Sequence, residues 1–215
     1  MGLAAASTLT VDASRNMVHH LLFPVLLFVG GQALAQSATR PEIKVGDQWR
    51  FAAYYTVPTA TPNRAWQVTA VTAVGIEGTE NGEPLRLTHD LNVRESPRGT
   101  ESNPGLLAFP LSVGKRWKFE SDWEFKPKGS RGKYAVDVTV AAYERISVVA
   151  GAFDAFKLTA REALSGTSPI GTHYSGAATR TYWYAPAARA VVKSVSHNPY
   201  LGWSTVELVE LELRP

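Results

Sequence analysis

The sequence predicts an all-β protein, a curved antiparallel sheet of about nine strands that closes into a barrel or half-barrel, with few or no helices. Three observations carry this expectation. Apolar residues alternate with period two throughout the chain after residue 36, whereas no stretch there keeps an i, i+3, i+4, i+7 pattern over three turns. Turn-forming clusters separate the alternating runs: Asn81-Gly82-Glu83-Pro84, Asn103-Pro104-Gly105, Lys128-Gly129-Ser130-Arg131-Gly132, Ala150-Gly151 and Asn198-Pro199. Finally, that many antiparallel strands with one apolar face cannot remain an open sheet, because two edges and a greasy surface would face water. A sandwich is the remaining alternative.

The first 35 residues read as a secretion signal rather than as part of the fold. Leu21 to Val29 form an apolar run, followed by Gly30-Gly31-Gln32 and then Ala33-Leu34-Ala35. That is the order of an h-region, a polar c-region and an A-x-A cleavage site. Cleavage after Ala35 would leave Gln36 as the first residue, and the nine-residue run is too short to span a bilayer. Met17 is an alternative start that brings the peptide into the usual length range. Residues 36–215 are then expected to form one β domain in the periplasm or the medium. The chain has no cysteine, which excludes disulfides, thiolate metal sites, a cysteine nucleophile and a lipid-modified N-terminal cysteine.

Candidate strands follow in order. Asp47 to Thr56, Ala65 to Ile76 and Leu85 to Arg94 come first, then the clearest, Arg116 to Lys126. There Trp117, Phe119, Trp123 and Phe125 share one face with Ser121, and charged residues occupy the other, so one side is buried and one is wet. From Val136 the residues Val138, Val140, Ala142, Ile146 and Val148 keep the same phase, broken only by Glu144. Ala155 to Glu162, Arg180 to Tyr184, Ala190 to His197 and Trp203 to Leu213 complete the set, and a slip of phase between Leu208 and Val209 predicts a bulge or burial of both faces. Val45-Gly46-Asp47-Gln48-Trp49-Arg50-Phe51 and Val113-Gly114-Lys115-Arg116-Trp117-Lys118-Phe119 share the pattern V-G-x-x-W-x-F. Shared local geometry, a glycine turn leading into inward Trp and Phe, explains this more simply than duplication.

Several stretches resemble an uncharacterised group of bacterial exported proteins, the domain of unknown function 3108 and its relatives (TapB-like). They are Pro110-Leu111-Ser112-Val113-Gly114-Lys115-Arg116-Trp117, Val149-Ala150-Gly151-Ala152-Phe153-Asp154-Ala155-Phe156-Lys157-Leu158, and Tyr182-Trp183-Tyr184-Ala185-Pro186 with Val191-Val192-Lys193. The resemblance covers turns and packing positions in the C-terminal half and transfers no chemistry. It implies an envelope protein with a curved antiparallel sheet, similar to the half-barrels that carry lipoproteins or lipids across the periplasm. Ala150 stands where such proteins often have proline.

No constellation for catalysis emerges, and the expectation is a non-enzymatic protein without cofactor or metal. His89 falls in phase with Leu85, Leu87, Leu91 and Val93 and is expected to be a hydrogen-bonded core residue. His173 and His197 sit beside loops and read as surface residues. There is no G-x-S-x-G elbow and no phosphate-binding glycine loop, and the clustered carboxylates fall on wet strand faces. The basic stretch from Lys115 to Lys133 is interleaved with aromatics, which suggests nucleic acid or anionic lipid and glycan binding, yet strand parity turns its lysines away from the aromatics and argues against such a patch and against nucleic acid as a partner. What remains is the aromatic load. Trp49, Phe51, Trp66, Trp117, Phe119, Trp123 and Trp183 either pack the interior or line a cavity that holds an apolar or amphipathic ligand such as a lipid. Pairing of a sheet edge with an envelope protein partner is the second reading, and a hydrolase the third.

Overall fold

The computed structural model describes residues 36–55, 63–198 and 202–215. The expected signal segment, with Ala33 and Ala35, lies outside the described residues, and Gln36 is the first of them.

Among the described residues fourteen strands run in chain order: β1 (Ser37–Ala38), β2 (Gln48–Tyr55), β3 (Arg64–Thr72), β4 (Gly75–Glu80), β5 (Glu83–Leu87), β6 (Val93–Ser96), β7 (Gly99–Glu101), β8 (Leu111–Ser112), β9 (Arg116–Phe125), β10 (Ser130–Val148), β11 (Gly151–Thr167), β12 (His173–Ala185), β13 (Ala190–Asn198) and β14 (Gly202–Glu212). Twelve of them form a closed antiparallel barrel in which each strand pairs with the next in sequence and β14 pairs with β2. Only β1 and β8 stand apart, paired with each other through Ser37↔Ser112 and Ala38↔Leu111. Two single 3-10 turns, Lys126–Lys128 and Pro186–Ala188, are the only helical pieces among the described residues.

The barrel is as expected, but it has twelve strands where about nine were read. The run Ala65 to Ile76 divides at a reversal in which Thr72 Oγ1 accepts from the Val74 N–H and donates to the Gly75 carbonyl. A threonine side chain makes this turn, without the Asn-Gly or Pro-Gly signal on which reading depends. Leu85 to Arg94 divides likewise at Thr88–Asn92, where Leu91 adopts a positive φ of 65° and the Thr88 hydroxyl accepts from the Asn92 N–H. β7, three residues long, was too short to show alternation.

His89 is a second correction. β5 ends at Leu87, so the period that would aim the imidazole inward has already been lost, and Nε2 instead lies 3.3 Å from the Ala73 carbonyl near the surface. In β10 a bulge between Val140 and Ala142 swaps the faces. Tyr143 then continues the face of Val140 and meets Phe156 with ring centroids 4.7 Å apart, while Ile146 and Val148 pack against the buried cluster that includes Leu208, Val192 and Ala188. Glu144 is in phase with its neighbours after that bulge. The final strand has its bulge at Val209, between Leu208 and Glu210, where the apolar phase slips.

The V-G-x-x-W-x-F pair makes one turn twice. Gly46 and Gly114 have φ of 92° and 89°, values open to glycine and costly for other residues. Gly46 N–H donates to the Val68 carbonyl and Gly114 N–H to that of Val140; Val68 N–H returns a bond to Asp47 and Val140 N–H to Lys115. Each turn thereby anchors its strand to the next one just before a bulge. Both tryptophans then donate to backbone carbonyls, Trp49 to Ala188 at 2.8 Å and Trp117 to Gly105 at 2.7 Å.

Two contacts tie the rest to the barrel. The segment 102–115 turns inward, burying Leu107 and Leu111 against Val136, Val138 and Leu158; the buried Asn92 amide exchanges two bonds with the Leu107 backbone, at 2.7 and 2.8 Å. Asp47 is fully buried. Its carboxylate accepts from the Lys44 N–H at 3.0 Å, the Arg189 guanidinium at 3.1 Å and the Arg214 N–H at 2.7 Å. Replacing Asp47 by Ala strands these donors and one cation, and should cost about 3 to 5 kcal/mol, read as a lowered urea midpoint. Asn92→Ala should cost about 2 kcal/mol by the same measurement, since it leaves two buried backbone groups without partners.

Candidate cavity within the barrel

The strand faces that point inward do not meet at the centre. They enclose a cavity of about 730 Å³, within the range of small-molecule sites. Its wall is apolar on the side of β2, β3 and β5, where Trp49, Phe51, Trp66 and Leu87 contribute. Phe51 and Trp66 meet edge to face at 5.3 Å, and the Trp66 indole donates to Glu80 at 2.9 Å. Inward Leu106 and Leu107 form part of the opposite boundary, with Phe119 and Val136. Toward the β9–β10 and β11–β12 turns the lining becomes aromatic and exposed, with Trp123 and Tyr174 6.4 Å apart beside Phe125 and Lys128.

Of the aromatic residues singled out in the sequence, Trp49, Phe51, Trp66, Phe119 and Trp123 line this cavity. Trp117 does not; it is packed beneath the inward segment 102–115. Trp183 faces away from the cavity, where its indole donates to Glu144 at 2.8 Å and Lys157 lies 5.5 Å over its ring. That bond holds the Glu144 carboxyl below its usual range. His173 and His197 are surface residues, as expected, the first beside Thr167 Oγ1 at 3.0 Å and the second stacked on Trp203 at 4.7 Å. None of the three histidines of residues 36–215 lines the cavity, and no cluster of metal-binding side chains occurs among the described residues.

Midway along the cavity lies a polar girdle that the sequence reading missed. Arg180 Nε lies 3.1 Å from the Glu162 carboxylate, Tyr134 donates its hydroxyl hydrogen to Glu101, and Tyr182 adjoins the guanidinium. All five residues line the cavity. The Arg180 side chain is 44% accessible although it points inward, because the space it reaches is the cavity itself. Burial raises the Glu101 carboxyl, against the opposing bond from Tyr134 and the charge of Arg180. Burial likewise raises Glu162, and it pushes the Tyr182 phenol up to about 12.

Three of these residues fell just outside or at the margin of an expected strand, and Glu101 fell in none. Glu162 and Arg180 stood at strand ends, Tyr134 preceded Val136, and Glu101 lay in β7. The signal that could have found them was parity, since Glu162 continues the phase of Leu158 and Ala160, and Arg180 that of Tyr182 and Tyr184.

An antiparallel meander closed around a partly apolar cavity defines a β-barrel of the cavity-bearing class. No family model matches the chain, and no curated protein does. Solved structures do. A Parabacteroides distasonis protein, provisionally named a lipoprotein, is 16% identical with a TM-score of 0.51, over 82% of this chain and 100% of the other. A Bacteroides fragilis protein, provisionally named as exported and described as having a YmcC-like fold, is 16% identical with a TM-score of 0.51, over 81% of this chain and 99% of the other. The hypothetical lipoprotein YmcC of Escherichia coli matches at 12% identity and a TM-score of 0.44, over 77% and 84%. At these identities the first two show a common fold.

The raised carboxyls set a direction for stability against pH. A carboxyl whose pKa is higher in the folded state than its ordinary 4.5 binds its proton more tightly when folded, so stability present at low pH is lost as pH rises through the folded value. The melting temperature of the wild type should therefore fall relative to that of Glu101→Gln as pH is raised from 4.5 upward. Paired thermal melts across that window check the sign.

Proposed function

We propose that this chain is an exported, non-enzymatic envelope protein that holds an apolar or amphipathic small molecule, such as a lipid, inside its barrel. The observation that carries this reading is the cavity of about 730 Å³ walled by Trp49, Phe51, Trp66, Phe119 and Trp123, because a barrel whose only task was packing would fill that space at the density of other interiors. Export rests on the signal segment, and β1 begins at Ser37, two residues after the expected cut. The resemblance to the domain of unknown function 3108 and the provisional names of the structural neighbours agree with an envelope location.

The competing reading, a sheet edge offered to a partner strand, loses support because the barrel strands close on themselves. The hydrolase reading finds no histidine in the cavity wall.

Native mass spectrometry and solvent extraction of protein purified from the envelope should reveal a co-purifying small molecule, and Ser194→Phe, which adds a ring to the cavity wall, should reduce its occupancy. A protein that carries no extractable molecule but a stoichiometric protein partner would reverse the assignment. Intact mass should begin at Gln36; a species retaining Leu21 to Val29 would mean that the apolar run stays as an anchor.

A further inference from the structure

The cavity wall is not uniform in charge. Arg94, Arg98, Lys128, Arg180 and Arg189 line it against Glu101, Glu124 and Glu162. Arg189 is spoken for by Asp47 at 3.1 Å, and Arg98 lies 3.7 Å from Glu80 with its Nε buried and without a hydrogen bond. Arg94 and Lys128 have no carboxylate partner among the described residues. At the centre stands Arg180, whose Nε is engaged by Glu162 while the accessible remainder of its side chain faces the cavity.

Resting on the reading of the barrel as a binding protein, we propose that its ligand is a single-chain amphiphile with an anionic head, whose head binds Arg180 beside Tyr182 and whose hydrocarbon tail lies against Trp49, Phe51 and Trp66. A guanidinium presents its donors as a planar fork matched to a carboxylate or phosphate, and a tyrosine hydroxyl adds a further donor. Inside a low-dielectric enclosure such bonds are stronger than in water. The two carboxyls nearest the head would repel it if both were ionised. Burial raises both, the direction that favours their neutral forms, while the bond from Tyr134 and the charge of Arg180 act against it. The apolar wall supplies the other half of the site, where burying a tail gains about 0.8 kcal/mol per methylene.

Three probes of equal tail length separate the head from the tail: dodecanoate, dodecan-1-ol and dodecyltrimethylammonium, each titrated into the full chain at pH 7.5 with tryptophan fluorescence as the readout. Dodecanoate should bind at least about tenfold more tightly than the alcohol, the difference between a charged and a neutral hydrogen-bonded pair, and the cation should bind weakest. Arg180→Gln should erase the preference for dodecanoate over the alcohol. Because that variant leaves Glu162 without its partner, Glu162→Gln with Arg180→Gln is made in parallel, with thermal melts reporting folding, and should show the same loss. Equal binding of acid and alcohol, tighter binding of the cation, or a preference that survives in the folded double variant would overturn the anionic-head assignment and leave the cavity reading standing. Failure of all three probes would remove the cavity reading itself.

Discussion

The structure depends on the seam where the last strand of the barrel meets the barrel's first. A meander of twelve strands is a barrel only if β14 finds β2, and that pairing joins residues about 150 or more positions apart, from Ser204↔Tyr55 to Glu212↔Gln48, so its formation costs more chain entropy than any hairpin in the fold. Asp47 holds the seam together at one end. It is the residue that leads into β2, and its carboxylate gathers the Lys44 and Arg214 amides and the Arg189 guanidinium. One buried anion thus joins the first strand, the β12–β13 connection and the tail after β14. A buried charge is tolerated because several donors replace its hydration.

Closure has a consequence for the interior. Twelve strands enclose more space than eight, whose interior side chains can fill the space they surround. Here part of that space is taken by the segment 102–115, which Asn92 holds in place, and part remains as the cavity. The inward segment therefore shapes the site as much as the strands do. Beneath it Trp117 becomes a packing residue, whereas Phe119 and Trp123, two and six positions along the same strand face, border open space. Identical parity leads to different roles because depth along the barrel, and not face alone, decides what a side chain meets.

The polar girdle follows the same logic. Period two says which residues share a face, and it aims Glu162 and Arg180 inward with their apolar neighbours. On a filled core those residues would be an error of design, since unpaired buried charges are costly. In a cavity they can be partly paired with each other and partly open to what enters. The girdle was illegible in the sequence because β10 to β12 are longer than their apolar cores, so that Glu162 and Arg180 looked like strand ends and Tyr134 lay before one, and because Glu101 sits on β7, only three residues long. His89 failed in the opposite sense, given an inward aim by a period that had already stopped two residues earlier.

By itself the sequence determined the all-β class, the alternating faces of β9, the phase slip at Val209 and the paired glycine turns. These are local properties, set by side-chain parity along a strand and by the backbone freedom of glycine. The tertiary structure alone decided the number of strands, because two reversals are made by threonine hydroxyls and a positive-φ leucine rather than by recognised turn residues. It alone decided which aromatics border the cavity, that Trp183 faces outward onto Glu144, and that Glu101, Tyr134, Glu162, Arg180 and Tyr182 converge. Those outcomes depend on which strands lie across the barrel from one another. That is a matter of closure and register between distant segments, which no local pattern encodes.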